Sequence, residues 1–423
     1  MHDIFIILTV FLVTYAAILS NKFPLASITM VSAVMLIALR QISEAEAISF
    51  IDFNTLGLLC GMMMIVRILR QTGFFEYVAV ITVKMSAGNP VTVLVLISIV
   101  TAVLSALLDN VTTVLVIIPV GMAIADTMKI NPLAFIYSAV FSSNLGGTAT
   151  LIGDPPNILI GSKSGLGFND FLWNTAPISV LAVLISIFYI IIYFRKSLFA
   201  KDVKSEVLGS FNEKRIISDK KLLIKSLIVF VIVIVLFATH GLHHMQIGAI
   251  ALGGGFLLSL VARQNPDEIL KDVEWSTLFF FAGLFIVLGA VEKTGIIVSF
   301  SNMLIDISGN NEQLLSLLLT PFSALSASFL SAVPYTAAMI NVVAALQESL
   351  KSHDAVLWWA LSLGACFGAN GTIMGSAANL IALDIARKNK ISIDYWRYIK
   401  FSFPLMLITV AGATFYIFVR YGR

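Results

Sequence analysis

The amino-acid sequence predicts an all-α polytopic membrane protein made of two inverted-topology repeats, each carrying a re-entrant helical hairpin and a broken transmembrane helix. Three observations carry that prediction. Hydrophobic residues make up 58% of the 423-residue chain against 12% charged, too apolar for an ordinary hydrated surface. The sequence repeats itself 222 residues on without slipping register, so that Asp52, Phe53, Asn54, Thr55 and Leu56 return as Glu274, Trp275, Ser276, Thr277 and Leu278. Gly61, Thr72, Gly73, Gly146, Thr150, Gly153 and Asn157 return likewise as Gly283, Thr294, Gly295, Gly368, Thr372, Gly375 and Asn379. Lysine and arginine, finally, divide unevenly between alternate loops, and equivalent loops of the two copies fall on opposite sides. Duplicated apolar halves broken by Gly and Pro at matching places point to a secondary transporter with its site between the repeats.

Residues 1–40 hold two N-terminal helices, 3–19 and 24–39, close to the length that crosses a bilayer. His2 and Asp3 precede the first and no small-residue cleavage site follows, so it reads as a helix and not a secretory signal. Repeat 1 occupies 41–194. Its hairpin, about 90–128, breaks at SALLDNVTTVLVIIP, where Asp109 and Asn110 separate two helical stretches expected to be too short to cross alone. Its broken helix, about 131–162, contains SSNLGGTATLIGDPPN, a glycine pair, hydroxyls, an acid and two prolines that should unwind it. A span at 174–194 ends the repeat. The linker 195–221 carries eight basic residues and is expected in the cytoplasm, since basic loops resist translocation. A helix pair, 222–261 with spans 222–238 and 245–261, leads into repeat 2 at 262–423, with a hairpin at about 312–350, a broken helix at about 355–386 and a final span at 401–419. Threading outward from the linker puts 21 of the basic residues inside and six outside, with both termini outside.

The interruptions hold the candidate chemistry. In the first hairpin these are Asp109, Asn110, Thr112 and Thr113; the second has Ser331, Ala332, Val333, Pro334 and Tyr335, so the acid is replaced by serine. In the first broken helix, Asn144, Gly146, Gly147, Thr148, Thr150 and Asn157 offer neutral ligands around Asp154. The second offers Cys366, Asn370, Gly371, Thr372, Ser376 and Asn379, with Cys366 in place of Asn144 and Ser376 in place of Asp154. Free carbonyls and half-helix ends at such breaks bind small ions and polar solutes. Asp109 is the leading proton-coupling residue and Asp154 the second, because a carboxyl at membrane depth is costly unless it has a function. Each has a plainer reading as a helix cap, strengthened for Asp154 by Pro155 after it. Cys366 suits a soft ligand or simple packing; His240, His243 and His244 read as a hydrated turn, and Met62, Met63 and Met64 as apolar filler. Cys60 and Cys366 are the only cysteines, which excludes a disulfide framework.

The strings LLDNVTTVLVIIP and GGTATLIGDPPN resemble the signature segments of the ion transporter superfamily, in the branch joining ArsB-type arsenite permeases, P-protein-like permeases and NhaD-type sodium/proton antiporters. The similarity covers roughly 52–162 and 274–386. It implies oppositely facing hairpins and two broken helices around a central site, with a scaffold moving against a transport region. Relatives of the P-protein type often carry Asp-Asn in the second hairpin too; Ser331 and Ala332 stand there here, which argues against a second cation or proton site.

No lysine or arginine occurs within 100–128, 131–162, 323–350 or 352–386, so the site lacks a cationic side chain for a dianion. Acids, amides and hydroxyls suit a cation or a neutral hydroxylated solute exchanged against protons. Efflux of arsenite or antimonite from the cell across its inner membrane is the leading expectation, sodium/proton antiport the next, and sodium-coupled dicarboxylate transport the third. No HExxH, GxSxG or Walker motif is present, so neither hydrolytic chemistry nor a resident cofactor or metal is expected. The partners expected are the solute, protons, lipid and, on the ArsB resemblance, a soluble ATPase; nucleic acid is not among them.

Overall fold

The computed structural model describes residues 2–20, 22–86, 88–199, 216–243, 245–352 and 354–422. The rest of the linker and His244 lie outside the described residues. The first half folds as α1 (His2–Ser20), α2 (Leu25–Ala38), α3 (Glu44–Phe50), α4 (Phe53–Gln71), α5 (Phe74–Met85), α6 (Pro90–Leu107), α7 (Asn110–Met128), α8 (Leu133–Gly147), α9 (Pro155–Ser164), α10 (Phe168–Asn174), α11 (Ala176–Tyr193) and α12 (Arg195–Leu198). The second half supplies α13 (Lys220–Ala238), α14 (His240–His243), α15 (Ile247–Ala262), α16 (Pro266–Lys271), α17 (Trp275–Lys293), α18 (Ile296–Ser308), α19 (Glu312–Leu330), α20 (Ala332–Leu350), α21 (Val356–Gly368), α22 (Ala377–Lys388) and α23 (Tyr395–Tyr421). Nine of these helices are long and apolar enough to cross a membrane, among the described residues. The all-helical fold class expected from the sequence is borne out.

Helix starts follow capping chemistry. Ser43 and Glu46 form a reciprocal capping box on α3, and Asp52 accepts from the Asn54 and Thr55 amides to start α4. Asn89, Asp219, Asn265 and Asp394 cap α6, α13, α16 and α23, with proline in the first turn of α6 and α16. Because these signals are duplicated, α2 and α15, α3 and α16, α4 and α17, α5 and α18, α6 and α19, α7 and α20, and α9 and α22 each begin 222 residues apart.

The two copies are inverted. Arg67, near the end of α4, pairs with Asp272 just before α17, while Lys293 at the end of α17 pairs with Glu46 just before α4 at 2.5 Å. The start of each helix therefore lies beside the end of the other. That Lys293 hydrogen bond, helped by the Ser43 amide and hydroxyl, pulls the Glu46 carboxyl down to about 2. The copies also exchange helices. α15 of the second half lies along α4 of the first, and α2 of the first lies along α17 of the second. Glycines make both contacts close: a Cβ at Gly283 would stand 2.6 Å from the Thr29 carbonyl carbon, and one at the equivalent Gly61 would collide with the backbone of Ala251.

Within each half the hairpin's first arm packs on the broken helix, α6 on α8 and α19 on α21. A Cβ at Gly146 would lie 2.8 Å from the Ala102 carbonyl carbon, and one at Gly368 the same 2.8 Å from Ala324. The arms of the first hairpin are 18 and 19 residues, longer than expected, because the interruption takes only Leu108 and Asp109 out of the helix. In the second hairpin Ser331 alone makes the turn, at φ 67° and ψ 139°.

Candidate functional site

The breaks of the two halves meet in one buried polar crossing. α8 stops at Gly147 and α9 starts at Pro155; α21 stops at Gly368 and α22 starts at Ala377, with a 3-10 turn at Ile373–Gly375 between. Each break is stitched by an asparagine. Asn157 donates to the carbonyls of Thr148 and Thr150 at 3.1 and 2.9 Å, and its counterpart Asn379 donates to those of Ala369 and Thr372 at 2.8 and 2.9 Å. Thr150 and Thr372 then tie each break to its hairpin arm through the carbonyls of Ala106 and Ser328. These bonds use the carbonyls that unwinding frees, which is why the breaks can be buried.

Asn144 joins the halves. It donates to Asn370 at 2.9 Å and Asn379 at 3.0 Å, and accepts from Asn110 and Ser376, both at 3.2 Å. On the other side of the crossing, the Asn157 side-chain oxygen Oδ1 accepts from Ser362 at 2.6 Å and has the Cys366 thiol at 3.6 Å. Since Cys366 is the counterpart of Asn144, each broken helix reaches the stitching asparagine of the other.

The two acids stand in different surroundings. Asp109 caps α7: its carboxylate accepts from the Thr112 amide at 2.7 Å and the Thr112 hydroxyl at 2.6 Å. Asp154 is 2% exposed and precedes α9, but makes no capping bond. One of its oxygens accepts from Asn110 at 3.2 Å; the other accepts no hydrogen bond and has as polar neighbour the Cys366 thiol, whose own bond goes to the Asn157 side chain. Its counterpart Ser376 does cap, accepting from the Ala378 amide. The plain capping geometry thus belongs to Asp109, and the uncommitted carboxyl to Asp154.

The remaining expected residues divide. Thr113 and Thr148 bond carbonyls one turn back, so their hydroxyls serve their own helices. Gly146, Gly147 and Gly371 are positions of close approach, Gly147 to Gly153 and Gly371 to Ser328. Ser331, Pro334 and Tyr335 make no hydrogen bond to the crossing among the described residues; Pro334 accepts from Tyr15 and Tyr335 bonds Ser323, both at 2.9 Å. His243 bonds the Leu236 carbonyl and His240 packs against Gly167, and no metal-binding group of three His, Cys, Asp or Glu occurs among the described residues. Ser105, Ser143 and Ser362 were not anticipated. Ser105 donates to the Ser143 carbonyl at 2.7 Å and Ser143 to the Asn110 carbonyl at 3.0 Å, locking hairpin tip to break. Ser105 has a signal in the serine and threonine row on α6, Ser98, Thr101 and Ser105, at helical spacing; Ser143 and Ser362, on α8 and α21, have none.

Two cavities approach the crossing from opposite faces. One, about 460 Å³, lies at the linker-side end of α4 and is lined by Met63, Val66, Arg67, Arg70, Thr112, Asp272 and Glu274; Met63 is half-buried there, packed against the core that holds Met62 and Met64. The other, about 350 Å³, lies at the opposite end of α4 and is lined by Phe50, Asp52, Phe285, Leu288, Gly289 and Glu292, with Ser162 and Lys163 of α9. Apart from Thr112 and the α9 pair, these residues correspond one to one at the 222-residue offset.

Residues 15–364 match the CitMHS family, described as citrate transporter. The chain is 38% identical to the "46 kDa membrane protein" of Mycobacterium leprae across 98% of both chains. It is 37% identical to an uncharacterized transporter of Mycobacterium tuberculosis, Rv2685, again across 98% of each. It is 29% identical to the human P protein over 96% of this chain and 57% of that one. Among solved structures, the YdaH transporter of Alcanivorax borkumensis, described as having an unusual topology, superposes with a TM-score of 0.59 over 88% of this chain and 86% of its own, at 15% identity. At that identity the likeness speaks for the fold alone.

Proposed function

We propose that this chain, which belongs to the citrate transporter family CitMHS and is a multi-pass membrane transporter, moves its solute by proton-coupled alternating access centred on Asp154. The observation that carries this reading is the buried Asp154 carboxyl with one oxygen unpartnered, in a crossing whose residues include no lysine or arginine. A bare carboxylate in such a place is costly, and a proton removes the cost. A group that takes a proton when one cavity reaches it and releases it when the other does couples the two fluxes.

The same residues limit the solute. The crossing offers an anion only amide and hydroxyl donors and half-helix N-termini, with no cationic side chain and with one acid nearby, which favours a solute that binds uncharged or with its charge cancelled. Arsenous and antimonous acids are uncharged and hydroxylated, and their export against protons fits Asn110, Asn144 and Asn370 as hydrogen-bonding partners. A second reading rests on the family match: a citrate-like carboxylate, carried with protons or a bound cation neutralising it. Purified protein in proteoliposomes under an imposed proton gradient tests both. We expect gradient-driven arsenite flux that Asp154→Asn abolishes. Citrate flux that requires the proton gradient or an added cation, without arsenite flux, establishes the second reading; sodium flux alone makes the protein an antiporter. Undiminished gradient-driven flux in Asp154→Asn removes Asp154 from the mechanism.

A further inference from the structure

The two cavities are built from equivalent residues, yet they are closed differently. At the cavity facing away from the linker, α9 is fastened to the long helices: Ser162 donates to the Asp52 carboxylate, and the Lys163 ammonium lies 3.5 Å from Glu292. The equivalent residues of α22 are Asp384 and Ile385, and those of the helices they would meet are Glu274 and Arg70. No residue of α22 lines the linker-side cavity; Asp384 is exposed and pairs with Lys388 on its own helix at 2.7 Å. The α9 face is therefore latched, and the α22 face is not.

Asp52 and Glu274 are prepared in the same way. The Asp52 oxygen that accepts from Ser162 also accepts from Thr55 at 2.5 Å, and the Glu274 carboxylate accepts from the equivalent Thr277 at 3.0 Å. What Glu274 lacks is the second donor. Inverted repeats take each other's arrangement in turn as access alternates, which would bring Asp384 to Glu274 as Ser162 is now brought to Asp52. A serine hydroxyl can donate in that position; a carboxylate cannot, and a carboxylic acid can.

We propose that α9 and α22 are the closing elements of the two faces, that Ser162–Asp52 and Lys163–Glu292 latch the first, and that the second closes when Asp384 meets Glu274 with one proton shared between them. Closure of the linker face then takes up a proton from that side, at a site separate from Asp154. The charges that share the cavity with Glu274 or act on it are Arg67 and Arg70 of α4, Glu76 of α5, Asp272 and the hairpin-tip Asp109. On its own helix Asp384 has Lys388, its ion-pair partner, and Arg387; α7, which packs against α22, carries Asp126 and is capped by Lys129. Arg67 is held by Asp272, which leaves Arg70 as the cation that offsets the approaching acid pair; an Arg70 bridging both carboxylates would close the face without proton uptake, an outcome the pH dependence below separates from a shared proton. Glu274 is recessed but reachable by water, and burial, then the Asp109 charge, raise its carboxyl above the ordinary range against a lowering by Thr277.

The inference rests on the alternating-access reading above, and its test needs no transport. The measurement is maleimide labelling in proteoliposomes of single cysteines placed at Leu115, in the linker-side cavity, and at Asn341, in the other, above the background of the two native thiols. Rates are normalised to a cysteine at exposed Lys390. Lys163→Gln should raise labelling at Asn341 by about two- to five-fold, the effect of losing one exposed ion pair. Combining Lys163→Glu with Glu292→Lys should restore the original rate, which a folding defect would not. Labelling at Leu115 should fall as pH is lowered from about 8 to about 6. Asp384→Asn, which donates without a proton, should hold it low at both values. A Leu115 rate indifferent to pH, or unmoved by Asp384→Asn, overturns the acid pair even if solute flux through Asp154 is intact.

Discussion

Gly146→Ala adds one carbon where α8 crosses α6, and the structure fixes its cost. The new Cβ would stand 2.8 Å from the Ala102 carbonyl carbon and closer still to its Cα and oxygen. Carbon atoms prefer roughly 3.5–4.0 Å, so the helices must part by at least about 0.7 Å. Backbone lies on both sides and no rotamer change relieves it, which puts the variant near the upper end of the roughly 1–3 kcal/mol typical of overpacking. The displacement also reaches Asn144, half a turn earlier on α8, whose bonds to Asn370 and Asn379 are 2.9 and 3.0 Å. Lengthened by that amount, both pass out of hydrogen-bond range. The assay is thermal unfolding of purified protein in detergent beside proteoliposome flux. Gly146→Ala should melt earlier and transport poorly, and Gly368→Ala, which meets Ala324 in the same geometry, should match it. Gly253→Ala and Gly412→Ala, where a Cβ meets nothing within 4 Å, should be neutral or stabilising by up to about 1 kcal/mol. A Gly146→Ala protein that melts and transports like the parent would refute the close crossing.

Asp109→Asn keeps an acceptor for the Thr112 amide, so stability should fall by no more than about 1 kcal/mol and gradient-driven flux should persist; loss of proton coupling there would return Asp109 to the leading role. A cysteine at Lys129 should react with an impermeant reagent only from the cytoplasm and one at Lys351 only from outside, because these left-handed helix ends are equivalent across the inverted repeat; labelling of both from one side would contradict the assigned orientation. Ser331→Gly should stabilise by about 1 kcal/mol, since φ 67° with ψ 139° is a conformation that glycine alone adopts freely, and Ser331→Val should destabilise; equal melting of all three would show the turn unstrained.

Much of this fold was legible because duplication makes a sequence its own comparison. The caps and glycines at Asp52 and Glu274, Gly146 and Gly368, and Asn157 and Asn379 identify the elements and their order without any contact being known. What a repeat offset cannot reveal is contact between non-equivalent positions. Asn144 bonds Asn370, 226 residues on and thus off the repeat, so the centre of the crossing had no periodic signature. The acids were ranked by residue type and depth, which are alike for both. Their difference comes from the neighbours: Thr112 offers Asp109 an amide to cap, while the amide that Ser376 uses, Ala378, is Pro156 at the first break and has no N–H, which leaves the Asp154 carboxyl to Asn110. The ion pairs at the two cavities were hidden for the same reason, since Lys163–Glu292 joins α9 to α17 and Arg67–Asp272 joins α4 to the segment before α17, each across the halves.

The exchanged helices set a timetable for synthesis. When α4 enters the bilayer, the glycine face that α15 will cover is bare, and Ala251 is made 190 residues after Gly61. At about 5–20 residues per second that interval is on the order of ten to forty seconds. Throughout it the first half is a set of inserted helices with no lasting partner for α4, while α2 waits in the same way for Gly283. Neither half can mature before the other is translated. A chain cut within the linker should therefore regain its fold only when both pieces are made in the same membrane, and a first half made alone should be left to the proteases that clear unassembled membrane helices.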